Sequence, residues 1–137
     1  ADPGAELVRL AHKNNIRIIP LVGPSSILLA LMAPGLNGQQ FAFNGYLPIE
    51  SNARISKIIE LEKLSISRNQ TQIFIEAPYR NQKLLEQLVK TCSDSTNLCI
   101  ASHLTFSNEM VATRTIKEWN RSLPDINKIP TIFLLHG

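Results

Sequence analysis

The stretch that decides the fold class is residues 71–91, TQIFIEAPYRNQKLLEQLVKT. Its first part, Thr71–Ala77, is a β-branched and aromatic run that is typical of a central strand. The following part, Arg80–Thr91, is predicted to be a helix because its apolar residues recur at helical spacing. The apolar stripe of this helix consists of Leu84, Leu85, Leu88 and Val89. A strand that turns directly into an amphipathic helix is a building unit of α/β domains.

Similar segments on both sides extend this unit. A helix is predicted from about Ala53 to Leu64, with Ser51 as its N-cap, and a short one over 116–121. The inward residues of the longer helix are Ile55, Ile58, Ile59 and Leu61. The other predicted strands are Phe41–Tyr46, Asn97–Ser102, Glu109–Thr115 and Thr131–Leu135, of which Glu109–Thr115 has the polar alternation of an antiparallel strand. Residues 40–137 are therefore predicted to form a complete mixed-sheet α/β domain of about five strands.

The first 39 residues have a different organisation. The turn signal Asp2-Pro3-Gly4 leads into a predicted helix over Glu6–Lys13, followed by a buried strand over Ile16–Val22. Gly23-Pro24-Ser25-Ser26 then turns the chain into a second helix, Ile27–Met32. One strand cannot form a parallel sheet, so we expect residues 1–39 to be the C-terminal remnant of a parallel α/β/α domain. The absence of an initiator Met agrees with a missing beginning.

Composition restricts the class of protein. The 137 residues are 44% hydrophobic and 18% charged, which excludes disordered, collagenous and disulfide-framework proteins. The net charge of +3 permits RNA as a partner but does not argue for it. The apolar stretch from Ile18 to Leu36 is interrupted by prolines and glycines, so we expect a buried strand, turn and helix rather than a membrane span.

The metal-ligating and redox-active residue types form no motif. Cys92 and Cys99 have neither CxxC nor zinc spacing, and His12, His103 and His136 lie far apart in the sequence, so no metal site is predicted. We expect both cysteines to be buried thiols in a reducing, cytoplasmic setting, since no signal peptide is visible.

Three segments could carry chemistry. Gly23-Pro24-Ser25-Ser26 precedes a helix N-terminus, where backbone N–H groups meet polar ligands, although an ordinary helix cap has the same pattern. Glu76 ends the strand of residues 71–77, either as a ligand-facing carboxylate or as the ion-pair partner of Arg80. His103 follows another strand, either as an acid or base or as a hydrogen-bonded structural residue.

Other polar and aromatic residues are interpreted more simply. Glu109, Arg114 and Lys117 are expected to be solvated charges, and Trp119 is expected to pack in the core. The sequence contains no Ser/His/Asp set, no paired carboxylates and no GxGxxG, and we assign no catalytic residue.

The order of these segments carries more information than any one of them. Gly23-Pro24-Ser25-Ser26, Gly35-Leu36, Phe41–Pro48 and Phe74–Arg80 follow one another as in the tetrapyrrole methylase family, which the chain resembles over essentially its whole length. The segments are most similar to those of a branch that methylates ribosomal RNA of the small subunit. That branch has a serine where this chain has Ala77, and its Arg-Glu-Leu-Thr-Lys segment is Ser-His-Leu-Thr-Phe here, at residues 102–106.

The resemblance implies a two-domain methyltransferase that folds S-adenosylmethionine into the cleft between its domains. Residues 1–39 would be the end of the N-terminal methylase domain and residues 40–137 the C-terminal one. The family's glycine-rich first-strand loop is not in this sequence, so activity is expected only of the full-length protein. Position by position, the implied cofactor-binding residues are Ser25, Ser26, Glu76, Ala77, His103, Leu104 and Thr131.

The resemblance further implies 2′-O-methylation of ribosomal RNA, a homodimer and a cytoplasmic location. Two alternatives remain open at this point. One is a methylase of the same family that acts on a tetrapyrrole or another small molecule, because three charged positions of the RNA-methylating branch are changed at residues 102–106. The other is a non-catalytic RNA-binding α/β module, for which the mild positive charge is the only support.

Overall fold

A five-stranded mixed sheet forms the centre of the molecule, for which a computed structural model describes residues 4–137. The strands lie in the order β1-β2-β5-β3-β4. β1 and β2 are parallel, and every other neighbouring pair is antiparallel. The strand bounds are β1 Phe41–Tyr46, β2 Thr71–Ile75, β3 Asn97–Ser102, β4 Met110–Thr115 and β5 Thr131–His136. The predicted mixed-sheet α/β fold with five strands is confirmed, with β5 rather than residues 71–77 in the middle position.

Helices cover both faces of this sheet unequally. The helices are α1 Ala5–Lys13, α2 Ser26–Met32, α3 Ser51–Arg68, α4 Asn81–Thr91 and α5 Ile116–Trp119, and Pro78–Arg80 forms a 3₁₀ turn. α3, α4 and α5 bury one face around Phe74 and Phe133. The opposite face is covered by α2, whose Ala30 is fully buried beside Ile73 and Leu134. The larger part of the core therefore lies between the sheet and the three later helices.

The predicted strand at Ile16–Val22 is wrong. Residues 16–25 lie outside helices and strands, and the side chains of Leu21 and Val22 are 90% and 106% exposed. Within residues 4–137 no strand pairs with this segment, so its backbone lacks the ladder hydrogen bonds that an apolar run needs in a sheet. Residues 2 and 3 of the predicted Asp2-Pro3-Gly4 turn lie outside the described residues.

The cap and the inward face of α3 also differ from expectation. The N-cap is Glu50, whose carboxylate accepts hydrogen bonds from the N–H groups of Asn52 and Ala53 at 3.0 and 2.6 Å. Ser51, the expected cap, instead accepts a hydrogen bond from Gln87 Nε2 on α4 at 3.0 Å. Of the four isoleucine and leucine residues expected inside, Ile58 and Leu61 are fully buried, Ile55 is half-buried and Ile59 is 38% exposed.

The remaining predictions about single side chains are mostly confirmed. Cys92 and Cys99 are buried free thiols, and burial raises the pKa of Cys92 to about 12. Trp119 packs in the core and donates a hydrogen bond from Nε1 to the carbonyl of Leu98 at 2.8 Å. Arg114 is not simply solvated, because its guanidinium carbon lies 4.6 Å from the centre of the Trp119 ring. No helix between residues 4 and 137 is long and apolar enough to cross a membrane.

The ring pair at the centre of the sheet offers a test of this core. Phe133 on β5 stacks on Phe74 of β2 with ring centroids 5.8 Å apart, and both are fully buried. Phe133→Ala is expected to lower the free energy of unfolding by about 3–5 kcal/mol, because it leaves a cavity between sheet and helices. Ile49→Ala, at a side chain that is 70% exposed, should change it by less than about 0.5 kcal/mol. Urea unfolding of both variants measures the difference, and equal losses would contradict the assignment of the core.

Candidate functional site

At one edge of the sheet, all five strands of the sheet either end or begin. β1, β2 and β3 end there, while β4 and β5 begin there. The register places Ile75 opposite Ile132, and Thr131 opposite Ser102. In open α/β sheets the carboxyl ends of strands are where ligands bind, because loops rather than ladder partners follow them.

A cavity of about 310 Å³ lies at this edge. This volume is at the lower end of the range of about 300–1,000 Å³ found for small-molecule sites. Its walls are mainly apolar. The polar residues of the lining include Ser26, Glu76 and Thr131, and Tyr46 and Phe106 supply aromatic rings. The complete lining is Ser26, Tyr46, Ile75, Glu76, Pro78, Ala101, His103, Leu104, Phe106, Pro130, Thr131 and Ile132.

Five of the seven residues predicted to bind a cofactor line this cavity, namely Ser26, Glu76, His103, Leu104 and Thr131. The other two, Ser25 and Ala77, are their immediate neighbours and are not part of the lining. Ser25 is the N-cap of α2, but its side chain makes no capping hydrogen bond. The helix after Gly23-Pro24-Ser25-Ser26 is thus present, whereas the strand expected before that turn is not.

Glu76 is the ion-pair partner of Arg80, which is one of the two interpretations that its sequence position allowed. The residue borders the cavity, its side chain is fully buried, and its Oε1 atom accepts hydrogen bonds from Arg80 Nη2 at 2.6 Å and from the Ala77 N–H at 2.7 Å. The hydrogen bond that Arg80 donates to the Glu76 carboxylate raises the pKa of Arg80, which therefore stays charged. The other oxygen, Oε2, has no hydrogen-bond partner among the described residues and lies 3.8 Å from Arg54 Nη1.

The loop from β3 to β4 forms another wall and holds an unusual backbone. His103 has φ 51° and Thr105 has φ 72°, a left-handed region that side-chain-bearing residues seldom adopt. The Phe106 N–H donates to the His103 carbonyl at 2.9 Å, which closes a tight turn with Thr105 in its third position. The His103 N–H donates to the Pro130 carbonyl at 3.2 Å and so ties this loop to the start of β5.

Glu109 is exposed, as expected of a solvated charge, and it also holds the same loop. Its Oε2 atom accepts a hydrogen bond from the Thr105 N–H at 2.6 Å. The His103 ring meets the Phe106 ring edge to face at 6.1 Å between centroids. Together these contacts hold the turn at the mouth of the cavity in one conformation.

Sequence reasoning missed the aromatic part of the lining and one buried cation. Tyr46 faces the cavity because β1 carries one extra residue relative to β2 between Phe43 and Tyr46, at Gly45 with φ 63°. Such a bulge turns the next side chain to the opposite face of the sheet. Asn-Gly before Tyr46 was the only signal for it. Arg54, inside the predicted helix of residues 53–64, is 2% exposed. Its spacing was a signal, because it lies four and seven residues before the inward Ile58 and Leu61 and so shares their helix face.

The strained turn makes a prediction of its own. Thr105 is exposed, and its β-branched side chain is disfavoured at positive φ, so Thr105→Asn is expected to raise the free energy of unfolding by about 1 kcal/mol. Gly45→Ala should have the opposite sign and a similar size, since an added Cβ meets nothing within 4 Å but φ is 63°. Thermal unfolding of both variants checks the pair. A loss of stability in Thr105→Asn would show that this turn is not strained.

Comparison with known proteins places this geometry in context. No model of a known protein family matches the sequence. Ribosomal RNA small subunit methyltransferase I of Vibrio cholerae is 31% identical over 140 residues, which cover 100% of this chain and 47% of that protein. The protein of the same name from Haemophilus influenzae is 30% identical over 140 residues and is covered to 48%. The chain thus spans about half the length of these curated relatives.

Solved structures agree at the level of the fold. The methyltransferase CobJ superposes with a TM-score of 0.60 at 16% identity, over 100% of this chain and 62% of that one. The cobalamin biosynthetic enzyme cobalt precorrin-4 methyltransferase, CbiF, gives a TM-score of 0.58 at 15% identity, over 98% and 58% of the two chains. The resemblance inferred from the ordered segments is confirmed: the chain is homologous to the ribosomal RNA small subunit methyltransferases I and shares the fold of the tetrapyrrole methylases.

Proposed function

We propose that this chain forms part of an S-adenosylmethionine-dependent methyltransferase that 2′-O-methylates ribosomal RNA of the small subunit. The observation that carries the proposal is the cavity, where Ser26, Glu76, His103, Leu104 and Thr131 meet from four separate parts of the chain. The names of the relatives support the reaction and the kind of substrate.

The residues present suit the adenosyl part of this cofactor. A planar heterocycle needs apolar contacts on its faces, and Ile75, Ala101 and Ile132 supply them. Its amino group and the ribose hydroxyls are hydrogen-bond donors, and the hydroxyl-bearing residues Ser26 and Thr131 belong to the lining.

Methyl transfer from a sulfonium depends mainly on the alignment of the nucleophile, the methyl group and the sulfur. When bound, S-adenosylmethionine would supply its sulfonium methyl group to an RNA hydroxyl oxygen, with the C–S bond broken, S-adenosylhomocysteine as the leaving group and the hydroxyl proton lost to solvent. The task of the chain is to hold the reactants in line and to keep water out, and such ordering accounts for a large share of rate enhancement. Within the described residues we accordingly assign binding and orienting roles, and no acid–base pair.

The proposal extends to domain organisation and assembly. Residues 1–39 would belong to an N-terminal methylase domain and residues 40–137 would form the C-terminal one, in a cytoplasmic homodimer. Large apolar side chains near the start of the chain support a covering partner, because Leu7, Ile19, Leu21 and Met32 are 71%, 61%, 90% and 77% exposed. Since the chain spans about half of its relatives, the rest of the cofactor site would come from outside these residues.

Calorimetric titration with S-adenosylhomocysteine tests the cofactor site. If the gene encodes residues before Ala1, we expect the longer gene product to bind S-adenosylhomocysteine. A matched titration of the 137-residue chain measures the affinity of these residues alone. Ala101→Leu should weaken binding at least about tenfold, because the added carbons enter the cavity. Ala112→Leu adds the same atoms on the other face of the sheet, beside the core of α3 and α4, and should leave affinity unchanged.

Methyl transfer separates the possible substrates. We expect labelled methyl groups to pass from S-adenosylmethionine to small ribosomal subunits that lack the modification, and not to a porphyrinoid. Turnover of the porphyrinoid alone would assign the chain to a small-molecule methylase. RNA binding that falls steeply with salt and ignores the cofactor would instead identify a non-catalytic RNA-binding module.

A further inference from the structure

Tyr79 is an exposed aromatic residue at the border of the cavity. It follows Pro78, which belongs to the cavity lining, within the 3₁₀ turn Pro78–Arg80. Its surface is 64% exposed, so the ring contributes little to the core. A single exposed apolar residue is common on protein surfaces and has no meaning by itself. Tyr79 differs from such residues in how firmly its ring is held.

A short chain of hydrogen bonds fixes the Tyr79 side chain. Arg80 Nη1 donates to Tyr79 Oη at 2.8 Å, and Arg80 Nη2 donates to Glu76 Oε1 at 2.6 Å. The guanidinium carbon of Arg80 lies 5.0 Å from the centre of the Tyr79 ring. Because the Glu76 side chain is completely buried, the Tyr79 ring is linked through Arg80 to a group that the fold holds in place.

Stability alone does not explain a ring that is both held and exposed. Interactions among solvent-accessible side chains usually contribute little to the free energy of unfolding. Restricting a side chain also costs rotamer entropy, and a mostly exposed ring has little burial to offset that cost. A ring that is already restricted loses less freedom when a second planar group binds to it. Tyr79 is therefore suited to stacking.

The loop before β5 places a basic residue beside the same turn. The Lys128 N–H donates to the Pro78 carbonyl at 3.0 Å, and Lys128 is exposed. Asn81 Nδ2 donates to the Ile129 carbonyl at 2.6 Å, which fastens the loop to the start of α4. Lys128 has φ 60°, in the left-handed region that side-chain-bearing residues seldom adopt. Its ammonium group is thus carried by a backbone that is anchored next to the 3₁₀ turn.

The charges beside this turn favour an anionic ligand. Arg54 and Arg80 face Glu76 from two sides, so two guanidinium groups meet one carboxylate and one positive charge is in excess. Lys128 adds a second positive charge, and Asp125 in the same loop offsets one of the two. A ligand that suits this surface therefore combines a planar group with a negative charge.

RNA has this combination in its unpaired regions. An unpaired base can stack on an aromatic side chain, and the adjoining phosphates carry the negative charge. Bases inside a duplex already stack on one another and leave no face for a protein ring. Single-stranded RNA is thus the occupant that the ring and the charges favour together.

We propose that Tyr79 is a base-stacking residue for RNA: its ring, held by Arg80, stacks on an unpaired base beside the cavity, while Lys128 contacts a neighbouring phosphate. This assignment rests on the proposed function, in which ribosomal RNA is the substrate, and it names the surface that binds this RNA. These residues bind, and no chemical step passes through them.

Fluorescence anisotropy of the longest gene product with a labelled RNA tests the stacking. The probe is a single-stranded RNA of mixed sequence and about twelve nucleotides. Tyr79→Leu should weaken its affinity about tenfold because a stacking surface is lost, and Tyr79→Phe, which keeps the ring, should retain most of it. Phe41→Leu is the matched control, because Phe41 is a 40% exposed ring at the start of β1, at the opposite end of the sheet. It should leave affinity unchanged.

Salt dependence separates the lysine from the ring. Lys128→Gln should weaken RNA binding and lower the slope of log affinity against log salt by about 0.7, since one phosphate contact is lost. Tyr79→Leu should leave that slope unchanged, because stacking releases no counterions. Lys90→Gln, at an exposed lysine in the last turn of α4, is the control for charge alone and should change neither affinity nor slope.

The affinity for S-adenosylhomocysteine and methyl transfer to small ribosomal subunits complete the test. Tyr79→Leu should keep its affinity for S-adenosylhomocysteine, because Tyr79 is not part of the cavity lining, whereas damage to the fold would lower it. Unchanged RNA affinity in Tyr79→Leu, in a protein that still methylates the subunits, would overturn the stacking role and leave the proposed function standing. Equal losses in Tyr79→Leu and Phe41→Leu would also overturn it.

Two outcomes concern the proposed function itself. A wild-type protein that binds S-adenosylhomocysteine but neither binds the RNA probe nor methylates the subunits would overturn both the RNA substrate and the stacking role. RNA binding that depends on Tyr79, in a protein that transfers no methyl group, would support the stacking role and reject the proposed reaction.

Discussion

The insertion of β5 between β2 and β3 is the constraint on which the rest of the molecule depends. Without it the sheet would separate into the parallel pair β1–β2 and the hairpin β3–β4. β5 also belongs to both cores at once, because Phe133 faces α3 and α4 while Leu134 faces α2. Its first residue, Thr131, lies beside Ser102, and its second, Ile132, beside Ile75. The same pairing that completes the sheet therefore brings the walls of the cavity together.

Conformational cost is concentrated at that edge. The strands that build the core have regular pairing, whereas the turn after β3 holds His103 and Thr105 at positive φ, and the turn after β2 buries Glu76 between two arginines. Strain and buried charge persist only where the surroundings determine the conformation, and they are found most often at functional sites. A regular sheet with strained turns and buried charges at one edge is the arrangement expected of a preorganised binding site.

The sequence predicted what depends on local pattern and missed what depends on distant partners. Alternation and β-branched runs identified all five strands, because a pleated, buried surface selects those residues directly. The apolar run Ile16–Val22 satisfied the same criterion, yet a strand also needs a neighbour, and residues 4–137 supply none. At the site, the sequence suggested Glu76 and His103, and the helical spacing placed Arg54 on the face of Ile58 and Leu61. Its pairing with Glu76, 22 residues away in the sequence, appears only in the fold.

The bulge in β1 has a consequence beyond the direction of Tyr46. β1 is an edge strand, and Phe41 and Phe43 are 40% and 44% exposed on it, which is the kind of surface that recruits further strands into aggregates. An edge is a good template only where its free N–H and C=O groups continue in register. The extra residue at Gly45 interrupts that row after Phe43, and Asn44 turns its side-chain amide inward to the Ala42 carbonyl and to Gln72 on β2. The irregularity that aims an aromatic ring at the cavity thereby also makes this edge a poor seed for strand-to-strand polymerisation.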